Sequence, residues 1–103
     1  MNTNTIKRLK DAAPSIEKLR HLHPEEQAWL EPLLNQSTKT ALLILDTISN
    51  SPLTYEEIAD ACELHINSVR QILGALNEGG CAIDMDDRMA FARTGRPRKL
   101  ARR

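Results

Sequence analysis

The chain has 103 residues, enough for one small domain, and its 41% apolar content supports a modest core that a dimer would supplement. No apolar run approaches the roughly 20 residues of a membrane span, and the opening MNTNTIKRLKD has no signal-peptide core; a cytoplasmic protein with no membrane partner is expected. Fourteen basic and fourteen acidic residues cancel, so the total charge selects no partner and its distribution carries the information.

Residues 5–22 place Ile6, Leu9, Ile16, Leu19 and Leu22 at near-helical spacing, with Pro14 dividing them at the start of a second helix. Residues 1–36 are thus expected to be a helical arm that packs on the body or makes a homodimer. His23-Pro24-Glu25-Glu26 has the form of a helix start, and Trp29, Leu30, Leu33 and Leu34 follow as its apolar face. Pro32 should kink or restart that helix. Trp29, the only tryptophan, is expected in the core or as a dimer anchor.

Residues 37–49 form the most hydrophobic segment, capped by Ser37 or Thr38. Ala41, Leu42, Leu43, Ile44, Leu45 and Ile48 cover more than one face, which predicts a central helix buried on several sides. A turn at Asn50-Ser51-Pro52 precedes Thr54, which opens a capping box with Glu57. Ile58, Ala59 and Cys62 give the next, short helix its inner face. A further helix begins near His65, with Val69, Ile72, Leu73 and Leu76 inward and Gly79-Gly80 at its end. Cys81-Ala82-Ile83 reads as a short strand, and residues 85–92 as part of a hairpin with Met89 and Phe91 on one face. Cys62 and Cys81 sit among apolar neighbours, so buried free thiols are expected.

Charge is segregated along this half. Residues 40–87 carry nine acids against a single basic residue, Arg70, whereas residues 88–103 carry seven basic groups and no acid. Two helices joined by a tight connection, followed by an arginine-rich Gly-Arg-Pro segment, suit DNA reading: the second helix fits the major groove. Its outward residues are Ile66, Asn67, Ser68, Arg70, Gln71 and Asn77. Asn67 or Gln71 can pair bidentately with adenine, Arg70 can read guanine or grip phosphate, and Ser68 can hold a phosphate. Arg93, Arg96, Arg98 and Lys99 cluster about the expected turn at Gly95-Arg96-Pro97, where arginine suits a narrow minor groove.

On these residues, the stretch 37–99 resembles winged helix-turn-helix domains, especially bacterial transcriptional regulators of the arsenic-resistance and multiple-antibiotic-resistance types. The matching features are the buried first helix (37–49), Pro52-Leu53-Thr54, Glu57-Ile58-Ala59, Leu64, Ser68-Val69, Leu73, Leu76, Asn77-Glu78-Gly79-Gly80, the strand at Cys81-Ala82-Ile83, and Gly95-Arg96-Pro97-Arg98 as wing tip. The resemblance implies a mainly α fold with a small β-hairpin: a winged helix-turn-helix over 37–103 with additional N-terminal helices. It also implies a recognition helix and wing that bind DNA, usually as a dimer. Three departures stand out: Glu63 replaces the frequent turn glycine, His65 replaces the common cap serine, and residues 84–87 are unusually acidic for a strand near DNA. The family's long C-terminal dimerisation helix has no counterpart here, which leaves residues 5–36 to make a dimer.

No catalytic, cofactor or metal motif accompanies these features. There is no Walker-type loop or nucleophile signature. His21-x-His23 has a metal-compatible spacing, but neither cysteine completes it, so surface or capping roles are expected. The expected function is sequence-specific binding of double-stranded DNA by a transcriptional regulator, a repressor rather than an activator, acting as a homodimer. The alternatives are a winged-helix protein–protein interaction module and an architectural, plasmid or phage maintenance DNA-binding protein; a protein partner or small-molecule effector stays open.

Overall fold

A computed structural model describes residues 3–49 and 51–92. It is mainly helical, with one small antiparallel sheet. The elements in order are α1 (Thr3–Arg20), α2 (Pro24–Leu30), a 3₁₀ turn (Glu31–Leu33), α3 (Gln36–Thr47), β1 (Leu53–Thr54), α4 (Tyr55–Cys62), α5 (Ile66–Gly79), β2 (Ile83–Met85) and β3 (Met89–Ala92). The sheet order is β1-β3-β2: Leu53 faces Ala90, and Ile83 faces Ala92.

Side chains from every helix except α2 fill one core. Leu9, Ala13 and Ile16 come from α1, Ala41, Ile44 and Leu45 from α3, Tyr55, Ile58 and Ala59 from α4, and Val69, Ile72, Leu73 and Leu76 from α5. Ala90 and Ala92 close it from the sheet, while Met89 and Phe91 lie together on the other face of β3, as alternation requires. Both cysteines are buried free thiols. α3 is central as expected, but Leu43 is 49% exposed, so one of its sides is open. Its cap is Asn35, whose side chain accepts from the Thr38 amide at 2.8 Å, rather than Ser37 or Thr38.

The largest departure from the sequence reading concerns α1. Pro14 does not divide it; the helix runs unbroken for 18 residues with Pro14 inside. Of the two roles expected of the N-terminal segment, α1 shows packing on the body: its inner face belongs to the common core against α3 and α5. Proline has no N–H for the carbonyl four residues back, which here is that of Lys10. That carbonyl lies against Gly79 at the end of α5, and a Cβ on Gly79 would overlap both it and the Ala13 Cβ. The missing helical hydrogen bond therefore falls where another backbone approaches closely, and glycine is what lets it approach. Cys81 Sγ donates to the Ala13 carbonyl at 3.3 Å beside this contact. Burial pushes the Cys81 thiol up to about 11, helped by the Glu17 carboxylate, so the sulfur stays protonated as a donor.

The other end of α1 holds an ion cluster. Arg20 Nε donates to Glu17 at 2.7 Å, and His21 Nε2 lies 3.3 Å from the same carboxylate. Burial raises the Glu17 pKa, but the hydrogen bonds and charge of Arg20, then of His21, outweigh it and leave the pKa below its ordinary 4.5. His21 is thus a polar partner of Glu17, and His23 is the N-cap residue of α2, its amide donating to Glu26 at 3.2 Å.

Two predictions follow from this frame. Gly79→Ala should lower the unfolding free energy by about 1–3 kcal/mol, the usual cost of overpacking a tight contact, as read by urea denaturation. A depressed carboxyl pKa gives stability that is full above the unfolded-state value and lost as pH falls through the folded one. Glu17→Gln should therefore lose less stability than the parent below about pH 4.5, measured by thermal melts across an acid series.

Candidate nucleic-acid interface

The candidate surface is built on α4, α5 and the turn between them. Thr54 starts α4 through the capping box expected from sequence: its Oγ1 accepts from the Glu57 amide at 3.1 Å, and Glu57 Oε1 accepts from the Thr54 amide at 2.9 Å. The connection is residues 63–65. Glu63 has φ 57°, the left-handed region that glycine takes without penalty. It holds this conformation because the Leu64 amide reaches back to the Ala59 carbonyl at 2.9 Å and so closes the helix end. Leu64 packs against the core and anchors the turn. His65 does cap α5, despite replacing a serine: its Nδ1 accepts from the Asn67 amide at 3.2 Å.

α5 buries Val69, Ile72, Leu73, Ala75 and Leu76 and turns the opposite face outward. Asn67, Arg70, Gln71 and Asn77 are exposed on that face. Ile66 is half-buried against the core, and Ser68 is half-buried to one side of the exposed strip. Gly74 sits in the middle of the strip, one turn beyond Arg70 and Gln71. A Cβ there would meet nothing within 4 Å. No packing demand accounts for a glycine that weakens a helix interior, and a bare backbone at the centre of the outer face admits close approach of a ligand.

Two features of this surface are absent from the sequence reading. The first is the contribution of α1. Lys10 pairs with Glu78 at 3.4 Å, and a groove lined by Thr3, Ile6 and Lys7 on one side and Arg70, Gln71 and Gly74 on the other joins the two helices. Since Lys10 lies by Glu78 while Thr3 shares the groove with Arg70, the two helices run in the same direction. Lys7 and Lys10 thus stand beside the outer face of α5. Their sequence distance of some 60 residues hid this; the hydrophobic stripe of α1 was legible, but its docking site was not.

The second is Tyr55, a core residue at the start of α4. The Arg70 guanidinium carbon lies 5.0 Å from its ring centroid, a cation–π distance. Its hydroxyl donates to the Asp86 carbonyl at 2.6 Å. Burial, followed by the Asp86 carboxylate, raises the Tyr55 pKa, against the opposing charge of Arg70. One ring therefore ties α5 to the hairpin and keeps Arg70 laid along the surface.

The hairpin falls within the stretch expected for it: its strands are 83–85 and 89–92, so its turn is at residues 86–88, while Gly95-Arg96-Pro97-Arg98, read as a wing tip, lies outside the described residues. Cys81 and Ala82 precede the strand rather than belonging to it. The acidic run is explained in part by turn chemistry: Asp86 Oδ1 accepts from the amides of Arg88 and Met89 at 2.7 and 2.8 Å, which also holds its pKa below the ordinary value. Arg93, Arg96, Arg98 and Lys99 lie outside the described residues.

Glu63→Gly should raise the unfolding free energy by about 0.5–1 kcal/mol, because the left-handed position then carries no Cβ penalty; equilibrium denaturation reads the change. Among the described residues, no helix is long and apolar enough to cross a membrane. Compared with family models, curated proteins and solved structures, the chain matches none of them.

Proposed function

We propose that this chain is a winged helix-turn-helix protein that binds double-stranded DNA sequence-specifically through α5, acting as a transcriptional regulator by occupancy and so as a repressor. The carrying observation is the outer face of α5. Hydrogen-bonding side chains Asn67, Arg70 and Gln71 are exposed together around Gly74, which has open space above it. A helix presenting exposed polar side chains near its N-terminus is the arrangement that enters a major groove. The element order α3–β1–α4–α5–β2–β3, with β1 on β3, supports the winged reading.

In this reading Asn67 and Gln71 meet base edges, Arg70 meets a base or phosphate from its seat on Tyr55, and Asn77 contacts backbone at the far end of the helix. Lys7 and Lys10 add phosphate contacts from α1. The basic groups Arg93, Arg96, Arg98 and Lys99 supply the rest of the electrostatic footprint, each phosphate contact adding about 0.9 to the slope of log affinity against log salt.

A second reading, a winged-helix protein-interaction module, is favoured by the surface of α4. Glu56, Glu57, Asp60 and Glu63 are all exposed there, and Asp84, Asp86 and Asp87 are exposed on the hairpin. Such a surface repels phosphate and suits a basic protein partner.

Titration of the protein with pooled duplex fragments, followed by recovery and sequencing of what binds, separates the readings. Salt-weakened binding with an enriched motif is expected; binding without enrichment indicates an architectural role, and no binding at low salt favours the protein-interaction module. Gly74→Ala gives the sharper result. It should stabilise the fold by about 0.5–1 kcal/mol and yet weaken motif binding at least severalfold. Gln71→Ala should cost about 1–3 kcal/mol of discrimination between motif and random DNA.

A further inference from the structure

Arg70 is exposed on α5, and its guanidinium carbon lies 5.0 Å from the centroid of the Tyr55 ring. Tyr55 is buried, only 3% exposed, so its ring is a fixed seat rather than a second mobile side chain. A cation held over a ring face uses its charge and none of its N–H donors. Among the described residues, no hydrogen bond or ion pair engages this guanidinium. Arg70 is thereby held in place with its donors open. Lys10, in the same groove between α1 and α5, differs, because it already pairs with Glu78 at 3.4 Å.

The seat is itself anchored at two points. The Tyr55 hydroxyl donates to the Asp86 carbonyl at 2.6 Å, and the Tyr55 backbone amide donates to the Arg88 carbonyl at 3.0 Å. Both ends of the turn between β2 and β3 therefore hang from one residue. The turn brings acids with it. Burial raises the Tyr55 pKa, and the Asp86 and Asp87 carboxylates raise it further against the charge of Arg70, so both acids act at this corner.

These features separate the two contacts open to Arg70. A phosphate needs only positive charge, which lysine supplies as well, and the two aspartates oppose a phosphate here. The major-groove edge of guanine carries no net charge and presents two acceptors, O6 and N7, that match the planar fork of arginine. A side chain already held before binding also loses less rotamer freedom on making that contact.

We propose that Arg70 reads a guanine in the major groove and that Tyr55 is the positioning residue for this contact, a proposal that rests on DNA binding through α5. Sequence preference at one base pair is then set by a buried ring at the start of α4 that itself touches no base.

The test uses the full chain and the duplex motif enriched from pooled fragments, with each base pair replaced in turn and affinities read by fluorescence anisotropy at two salt concentrations. For the parent chain, replacing one G·C pair should weaken binding roughly 5- to 150-fold, the range of a bidentate base contact. Arg70→Lys should remove most of the preference at that pair and leave the salt slope unchanged, because the charge remains. Tyr55→Leu should reduce the preference at the same pair severalfold and leave the other pairs unaltered, whereas Tyr55→Phe, which keeps the ring, should retain it. Nuclear magnetic resonance of the DNA-free protein reads the seat itself: the Arg70 side-chain protons should be shifted upfield by the ring in the parent and in Tyr55→Phe. That shift and the Tyr55→Phe affinities decide the role of Tyr55 even where loss of a core side chain keeps Tyr55→Leu from folding. Arg70→Lys with every base preference intact would overturn the proposal, as would a parent chain without the upfield shift or a folded Tyr55→Leu chain with the preference unchanged. A parent chain that binds no duplex at low salt would overturn the DNA-binding role and this contact with it. Motif-enriched binding in which no G·C pair depends on Arg70 would overturn the guanine contact alone.

Discussion

The close approach of α1 to α5 at Gly79 is the contact on which the arrangement depends. A helix interrupted by proline leaves one carbonyl without its intrahelical donor. Here that carbonyl, of Lys10, is set against Gly79 of α5, where any Cβ would overlap it. The consequences run outward from there. Leu9, Ala13 and Ile16 enter the same core as α3 and α5. Cys81 closes the junction from the far side, and Lys10 reaches Glu78. The direction of α1 is fixed by this contact, and with it the position of Lys7 and Lys10 beside the outer face of α5.

Two opposed tendencies meet on the α4–α5 surface. The outer strip of α5 carries amide and guanidinium groups around an unencumbered glycine, while α4 and the hairpin tip are acidic. Tyr55 mediates between them, holding Arg70 on its ring and the Asp86 carbonyl on its hydroxyl. In the proposed DNA-binding role, a protein with this balance would dock on phosphate through a narrow basic zone, since surrounding acids limit how far non-specific attraction extends. Affinity would then lean on α5 and on the basic residues after β3 in the sequence, and selectivity would rise relative to non-specific binding.

Local signals in the sequence carry several of the elements, though not the cap of α3, which is Asn35. The Thr54–Glu57 capping box, the inner face of α5 and its end at Gly79-Gly80 follow from spacing and from backbone donors that need partners. The unusual turn at Glu63 was visible as a departure, and its positive φ gives that departure a conformational meaning. What was not legible depended on contacts between distant segments. Pro14 reads as a break in isolation, yet α1 continues through it, with the freed Lys10 carbonyl against Gly79 of α5. Trp29 reads as core because large apolar residues usually are, and nothing local shows that it stays 80% exposed. The turn between β2 and β3 is built from Asp86 accepting two backbone amides, a pairing that the acidic run alone does not announce.

The central claim is that the outer face of α5, flanked by the start of α1, is the surface that meets DNA. Hydrogen exchange of the backbone amides, with and without a bound duplex, tests it most directly. The account predicts added protection in residues 66–71 and in the first turns of α1, with α2 and the 3₁₀ turn unchanged. Protection that appears instead on the acidic face of α4 or on α2, or that appears nowhere under conditions where the duplex is bound, would contradict it.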